Sequence, residues 1–223
     1  MSMKRKIGTA TLVLASVVCA VVLIAFEAAP KLETVRAATD QAASAQNTPA
    51  NTPTYNKDGE LIPPLHYREW IYLTTGMDMS YTPKTDPNMS MFDNVFVNPE
   101  AYRSFVSTGT WPDKTVFVLE GRGASSKGSI NKAGHFQSGG VMGLEIHIKD
   151  ESRFPGKWAF FDVASEERAT LFPQTANCYS CHAEHAAVDT TFVQFYPTLL
   201  PIAQKKGTLS PSYLKETAAE ATK

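Results

Sequence analysis

Cysteine is scarce in this chain, with three residues in 223. Cys178 and Cys181 share one pentapeptide and Cys19 lies inside an apolar segment, so there is no disulfide framework. A second Cys pair is missing as well. Zinc would therefore have to recruit His185 and one further ligand to the first pair. Neither sign of charge is in excess: 21 Lys+Arg against 22 Asp+Glu leave a net charge of −1. No basic run occurs beyond Lys4-Arg5-Lys6, and nothing favours nucleic acid as a partner. There is no internal repeat, and the length suits one or two domains.

Long uncharged apolar runs are confined to residues 7–26, directly after Lys4-Arg5-Lys6, and this pattern is an export signal. Its twenty residues exceed a usual signal-peptide core and just suffice to span a bilayer. A cleaved signal peptide and a retained membrane anchor both stay open. Cys19 is a poor lipidation site because Val18 precedes it, whereas Ala43-Ser44-Ala45 offers a small-residue cleavage pattern. The positive flank keeps the N-terminus in the cytoplasm, so either reading makes the remainder periplasmic. Residues 27–54, rich in Ala, Thr, Gln, Asn and Pro, cannot bury enough surface to fold and read as a disordered linker.

The folded domain is expected over residues 55–204, followed by a polar tail at 205–223. Residues 67–74 and 94–97 read as short strands, and 78–88 as a loop. Asn98-Pro99-Glu100 is a helix start, with Asn as cap, Pro at the first helical position and Glu at the positive end; Gly109 should stop that helix. Residues 115–120 (TVFVLE) form a strand by composition, 121–140 a Gly/Ser/Lys-rich loop or hairpin connection, and 157–163 (KWAFFDV) another strand. Residues 141–149 alternate: Met142, Leu144, Ile146 and Ile148 share one face, Gly143, Glu145 and His147 the other. In 189–200, Phe192, Phe195, Tyr196 and Leu199 recur at helical spacing. The fold class implied is mainly β (α+β): an antiparallel sheet with a few helices, the C-terminal ones carrying the cysteine pair.

That pair belongs to Cys178-Tyr179-Ser180-Cys181-His182, the attachment signature of c-type haem. On one helical turn both sulfurs can meet the two vinyl groups of one porphyrin edge, and His182 can ligate the iron. One haem c held by Cys178 and Cys181 is the expected cofactor, with His182 as the metal ligand. The alternatives are a redox Cys-x-x-Cys and half of a zinc site. No methionine follows the motif, the last being Met142, so the usual sixth ligand of an electron-transfer cytochrome is missing. His185, one turn from His182, reads as a surface residue; His66, His135 and His147 are the remaining distal candidates. The sequence thus leans toward an open coordination position. Helical cytochromes c′ share the C-terminal motif, but residues 115–163 are strand-like.

Several stretches together resemble the cytochrome P-460 and cytochrome c′-beta family. They are Tyr67-Arg68-Glu69-Trp70, Asn98-Pro99-Glu100-Ala101-Tyr102, Thr115-Val116-Phe117-Val118, Gly143-Leu144-Glu145 with Lys149-Asp150, and Lys157-Trp158-Ala159-Phe160-Phe161. The haem motif and Thr191-Phe192-Val193-Gln194-Phe195-Tyr196-Pro197 complete the set, in family order. The resemblance implies an antiparallel β domain, usually a homodimer, with five-coordinate c-type haem. Members oxidise hydroxylamine or bind nitric oxide and similar gases. In the hydroxylamine-oxidising members a lysine on the TVxV strand is bonded to the porphyrin. Leu119 stands at the matching position here, and Lys114, Lys127 and Lys132 are out of register. Gly143-Leu144-Glu145 matches a segment carrying a distal carboxylate. Alternation alone makes Glu145 a solvent-facing strand residue, whereas the resemblance makes it a candidate catalytic base. Phe117, Leu119 and Phe136 are candidate haem contacts.

The expectation is a periplasmic mono-haem cytochrome whose open iron takes nitric oxide or a related nitrogen oxide, with hydroxylamine as a potential substrate and an unidentified electron partner. A six-coordinate electron carrier and a membrane-tethered haem gas sensor are the alternatives.

Overall fold

The β-branched and aromatic run at 115–120 opens the first of two long strands, β5 (Val116–Ser125), which pairs antiparallel with β6 (Phe136–Lys149). In the computed structural model residues 51–81 and 90–222 are described, all within the compact unit Thr48–Lys223. The export segment and the linker up to residue 50 lie outside the described residues. The other strands are β1 (Thr54–Tyr55), β2 (Leu61–Ile62), β3 (Ile71–Met77), β4 (Met91–Val97), β7 (Trp158–Val163) and β8 (Ala169–Leu171). They make one antiparallel sheet in the order β1-β2-β8-β7-β6-β5-β4-β3. The helices are α1 (Pro99–Thr108), α2 (Asn177–His185), α3 (Leu200–Lys206) and α4 (Pro211–Glu220). The mainly β architecture with C-terminal helices is the one the alternation implies.

Several local expectations change. The glycine-rich segment 121–140 is largely strand, and only 126–135 connects β5 to β6. Ladder bonds need only the backbone, so Gly121 pairs with Gly143 without side-chain packing, and register shifts on either side of Arg122 absorb the irregularity. Tyr67–Glu69 is a 3-10 turn that delivers the chain into β3. α1 starts at Pro99 and stops at Gly109 (φ 79), as expected, but Asn98 does not cap it. Its side chain instead accepts from Val116 N (2.9 Å) and donates to the carbonyls of Asn51 and Lys114, tying the helix entrance to β5. In 189–200 only Val193–Phe195, as a 3-10 turn, and Leu200, the first residue of α3, are helical. The stretch expected as a polar tail carries α4, capped by Ser210 and joined to α2 through His185–Glu216 (3.1 Å). Asn51, expected in the linker, is bonded to Trp70 Nε1 (2.9 Å) and to Glu100.

Both sheet faces are covered. One packs Val97 and Phe117 on α1 (Phe105), Trp111, Val193 and Leu199. The other packs Val116, Val118, Ile146, Ile148 and Phe161 on Tyr67 and Trp70. A large apolar side chain fully buried in either layer contributes about 1.5–3 kcal/mol.

On the Tyr67 side of the sheet sits Glu120, 2% exposed, bonded to Tyr67 Oη, Arg68 Nη2 (2.6 Å), Arg122 Nε (2.5 Å) and Asn94 Nδ2 (3.2 Å). Burial raises its pKa, but the bonds from Arg122, Tyr67 and Arg68 outweigh it and hold the carboxyl at about 2. A carboxylate whose pKa falls on folding stabilises above its unfolded pKa, and the contribution is lost as pH falls through the folded value. Stability should therefore drop between roughly pH 4.5 and 2. Glu120→Gln should cost about 1.5–3 kcal/mol near neutrality and flatten that acid limb. Urea midpoints against pH measure both; an unchanged acid limb would assign the loss to another group.

Candidate functional site

Because side chains alternate along a strand, the register of β3 to β7 sorts the cavity-facing residues into rows. The first row reads Ile71, Val97, Phe117, His147, Phe160; the second Thr74, Val95, Leu119, Glu145, Asp162; the third Gly76, Asp93, Gly121, Gly143. The first row merges into the core under α1. Phe117, His147 and Phe160 of that row, with Thr74, Val95, Leu119 and Glu145 of the second and Gly76 and Asp93 of the third, line a cavity of about 1020 Å³, counted to its open mouth. Its far side comes from His182 on α2 and from Phe192, Phe195 and Tyr196 around the second 3-10 turn.

α2 is placed by bonds to its flanks. Tyr179 Oη donates to Phe172 O (3.2 Å) and accepts from Phe160 N (3.4 Å), and Ser210 Oγ donates to Ala186 O (2.6 Å). Cys178 and Cys181 are half-buried free thiols on successive turns of that helix, and burial pushes both pKa values up. His182 Nδ1 lies 2.7 Å from Thr190 O. A carbonyl can only accept, so Nδ1 carries the proton and Nε2 is left with its lone pair. Burial keeps the ring neutral by lowering its pKa, and Phe160 and Phe192 pack it at 4.6 and 4.2 Å. An Nε2 and two thiols on the same helix without partners among the described residues, and a largely apolar cavity beside them, fit a covalently attached haem.

The distal candidates separate cleanly. His66 is bonded to Asn51 at the far edge of the domain, and His135 is exposed in the 126–135 connection. His147 stacks on Phe160 (3.9 Å, 11°), and its ring stands 5.1 Å from that of His182 at 74°. Its Nε2 lies 3.4 Å from Thr190 Oγ1 and its ring also packs on Trp158, so His147 is a packing neighbour of His182. His185 is exposed, as expected.

Phe117, Leu119, Glu145 and His182 all line the cavity. Phe136 does not: it begins β6 at the tip of the long hairpin, 41% exposed, with its ring over Gly128. Glu145 touches solvent through the cavity mouth, while the surrounding protein removes water from it; this desolvation, then Asp162 and Asp93, raises its pKa. Lys114 is committed to Asp150, and Lys127 and Lys132 lie in the hairpin connection, so none of the three lines the cavity. Sequence reading missed Asp93, Phe160, Thr190 and Met79. Asp93 and Phe160 could have been found by carrying the period of Glu145 and His147 across the neighbouring strands. Met79 lines the cavity with its sulfur packed over Gly76, where a Cβ would lie only 2.6 Å away. Nothing local marks Thr190, whose contribution is a backbone carbonyl.

A cavity-facing sheet, a helix carrying Cys-x-x-Cys-His and an imidazole with free Nε2 together define a c-type haem domain. Residues 64–193, more than half of the chain, match the family model described as Cytochrome P460, and the chain belongs to that family. Membership implies haem c. No curated protein matches the chain.

The attachment chemistry is directly testable. Acid-acetone extraction of the denatured protein should leave the haem on the polypeptide, and Cys178→Ala with Cys181→Ala should release it. His182→Ala should keep the attachment but abolish the iron–imidazole bond seen by resonance Raman. Haem in the organic layer of the wild type would refute the thioethers.

Proposed function

We propose that the domain is a periplasmic mono-haem c-type cytochrome whose iron, ligated by His182, stays five-coordinate and binds nitric oxide or a related small nitrogen oxide at its open sixth position, with slow hydroxylamine oxidation as an accompanying activity. The observation that carries this reading is the makeup of the second row. Thr74, Val95, Leu119 and Glu145 offer the cavity no imidazole, and His147, which also lines it, is engaged by Phe160, Thr190 and His182. Haem c, when bound, supplies a redox-active iron with one exchangeable position. Val95 and Leu119 give the cavity an apolar wall that would suit a small uncharged ligand. Glu145, facing Asp162 across the strands, can accept a proton from an N–H or O–H of hydroxylamine. Its raised pKa makes it a better base than an ordinary carboxylate, and its basic form is lost below that pKa.

Leu119 at the cross-link position supports attachment through the cysteines alone. The export signal supports the periplasm, as a cleaved protein or one anchored at its N-terminus. The family resemblance supports a homodimer, and an electron partner is required for any oxidation.

Met79 gives the second reading its one observation. A thioether on the cavity wall could serve as sixth ligand, making the protein an electron carrier. The absorption spectrum separates the two: the first reading expects high-spin ferrous haem, the second sharp low-spin bands that Met79→Leu abolishes.

Glu145→Gln should leave nitric oxide binding to the reduced protein nearly unchanged, since that ligand has no proton to give. Hydroxylamine turnover should fall by about 10²–10⁴-fold. Wild-type turnover should decline as pH falls through the raised pKa, and the variant should lose that limb. Equal turnover in both proteins would make Glu145 an ordinary strand residue. Mass spectrometry of haem-bearing peptides should find only the Cys178–Cys181 segment; a second, lysine-containing peptide would refute the assignment of Leu119.

A further inference from the structure

The carbonyl that orients His182 belongs to a two-residue turn, and the turn is held from three sides. Val188 and Thr191 bond each other's backbone (Thr191 N to Val188 O, 2.9 Å), with Asp189 at φ 51, a conformation Asp tolerates better than most residues. Lys149 Nζ reaches Asp189 (3.4 Å) and Trp111 O (2.7 Å), and Trp111 Nε1 donates to Thr191 Oγ1 (2.8 Å). The remaining residue, Thr190, has its Oγ1 3.4 Å from His147 Nε2. A segment clamped at three consecutive residues holds its peptide planes fixed, and one of those planes presents Thr190 O to His182 Nδ1.

His147 is built for such a task. It is stacked on Phe160 and lies 4.5 Å from the Trp158 ring, so its own orientation is fixed. Its bond to Thr190 and its edge contact with His182 come from one strand position, facing Phe117 and Phe160 across the ladder. We propose that His147 is a positioning residue for the proximal ligand: through Thr190 Oγ1 it holds the 188–191 turn so that the Thr190 carbonyl accepts squarely from His182 Nδ1. The consequence is a His182 Nε2 that is more electron-rich and points in one direction, as outer partners of metal-bound histidines generally arrange. The inference rests on the haem reading above.

The test compares purified, haem-loaded wild type with Thr190→Val, Thr190→Ser, His147→Phe and the Thr190→Val/His147→Phe pair. Resonance Raman gives the iron–imidazole stretch of the reduced protein, and a redox titration gives the potential. Thr190→Val removes the hydroxyl but keeps the branched shape and the backbone carbonyl. It should shift the stretch to lower frequency and raise the potential, whereas Thr190→Ser should match wild type. His147→Phe keeps an aromatic stack and should reproduce the Thr190→Val shift; the pair should shift no further, since both changes break one bond. Thr190→Val behaving as wild type would overturn the proposal, whatever His147→Phe does, and would reduce His147 to packing. Should His147→Phe fail to fold, the Val and Ser variants at Thr190 still decide. Wild type without covalent haem would overturn the haem reading and this proposal together, an outcome distinct from an unshifted stretch in loaded protein.

Discussion

The register between β5 and β6 is the constraint on which the site depends. Leu119 opposite Glu145, and Phe117 opposite His147, put an apolar wall and a carboxylate in one row and the aromatic support of His182 in the next. A slip of β6 by one residue against β5 would turn Glu145 and His147 to the other core and bring Ile146 and Ile148 to the cavity side. The other face carries the core of Val116, Val118, Ile146 and Ile148 on Tyr67 and Trp70, so the slip would drive a carboxylate and an imidazole into that core and draw Ile146 and Ile148 out of it. The two cores thus fix the register from opposite sides.

The same register separates two carboxylates of opposite character. Glu120 meets Arg68 and Arg122 and stays charged far into acid. Glu145 meets Asp162 across the strands and Asp93 in the cavity, and holds its proton more readily than an ordinary carboxylate. Environment alone divides them into a structural anion and a candidate base. The imidazoles divide similarly. Burial, then the neighbouring His182, keeps His147 neutral far below its ordinary pKa, whereas exposed His185 is engaged by Glu216.

How the helical side meets this sheet is a matter of backbone groups. The 188–191 turn, the carbonyls of Ala186 and Phe172 and the amide of Phe160 fix α2, with no charged pair in the cavity among the described residues. Such groups have no residue identity, and for that reason Thr190 was invisible beforehand while His182 was plain.

The sequence alone determined the haem motif, because thioether attachment and iron ligation demand fixed residue types at fixed spacing. It also determined the strands at 115–120 and 141–149 and the end of α1, because β-branched composition, period-two alternation and a left-handed glycine are local features. Alternation in β6 correctly separated Gly143, Glu145 and His147 from the apolar face, yet it could not say that this polar face looks into a cavity. That was decided only when α2 and the second 3-10 turn folded over it. Tertiary structure likewise carried β5 and β6 through a glycine-rich stretch, turned the tail into a helix against α2, and drew Asn98 away from its cap toward β5. In each case a partner distant in sequence supplied the bond or buried surface that outweighed the local preference.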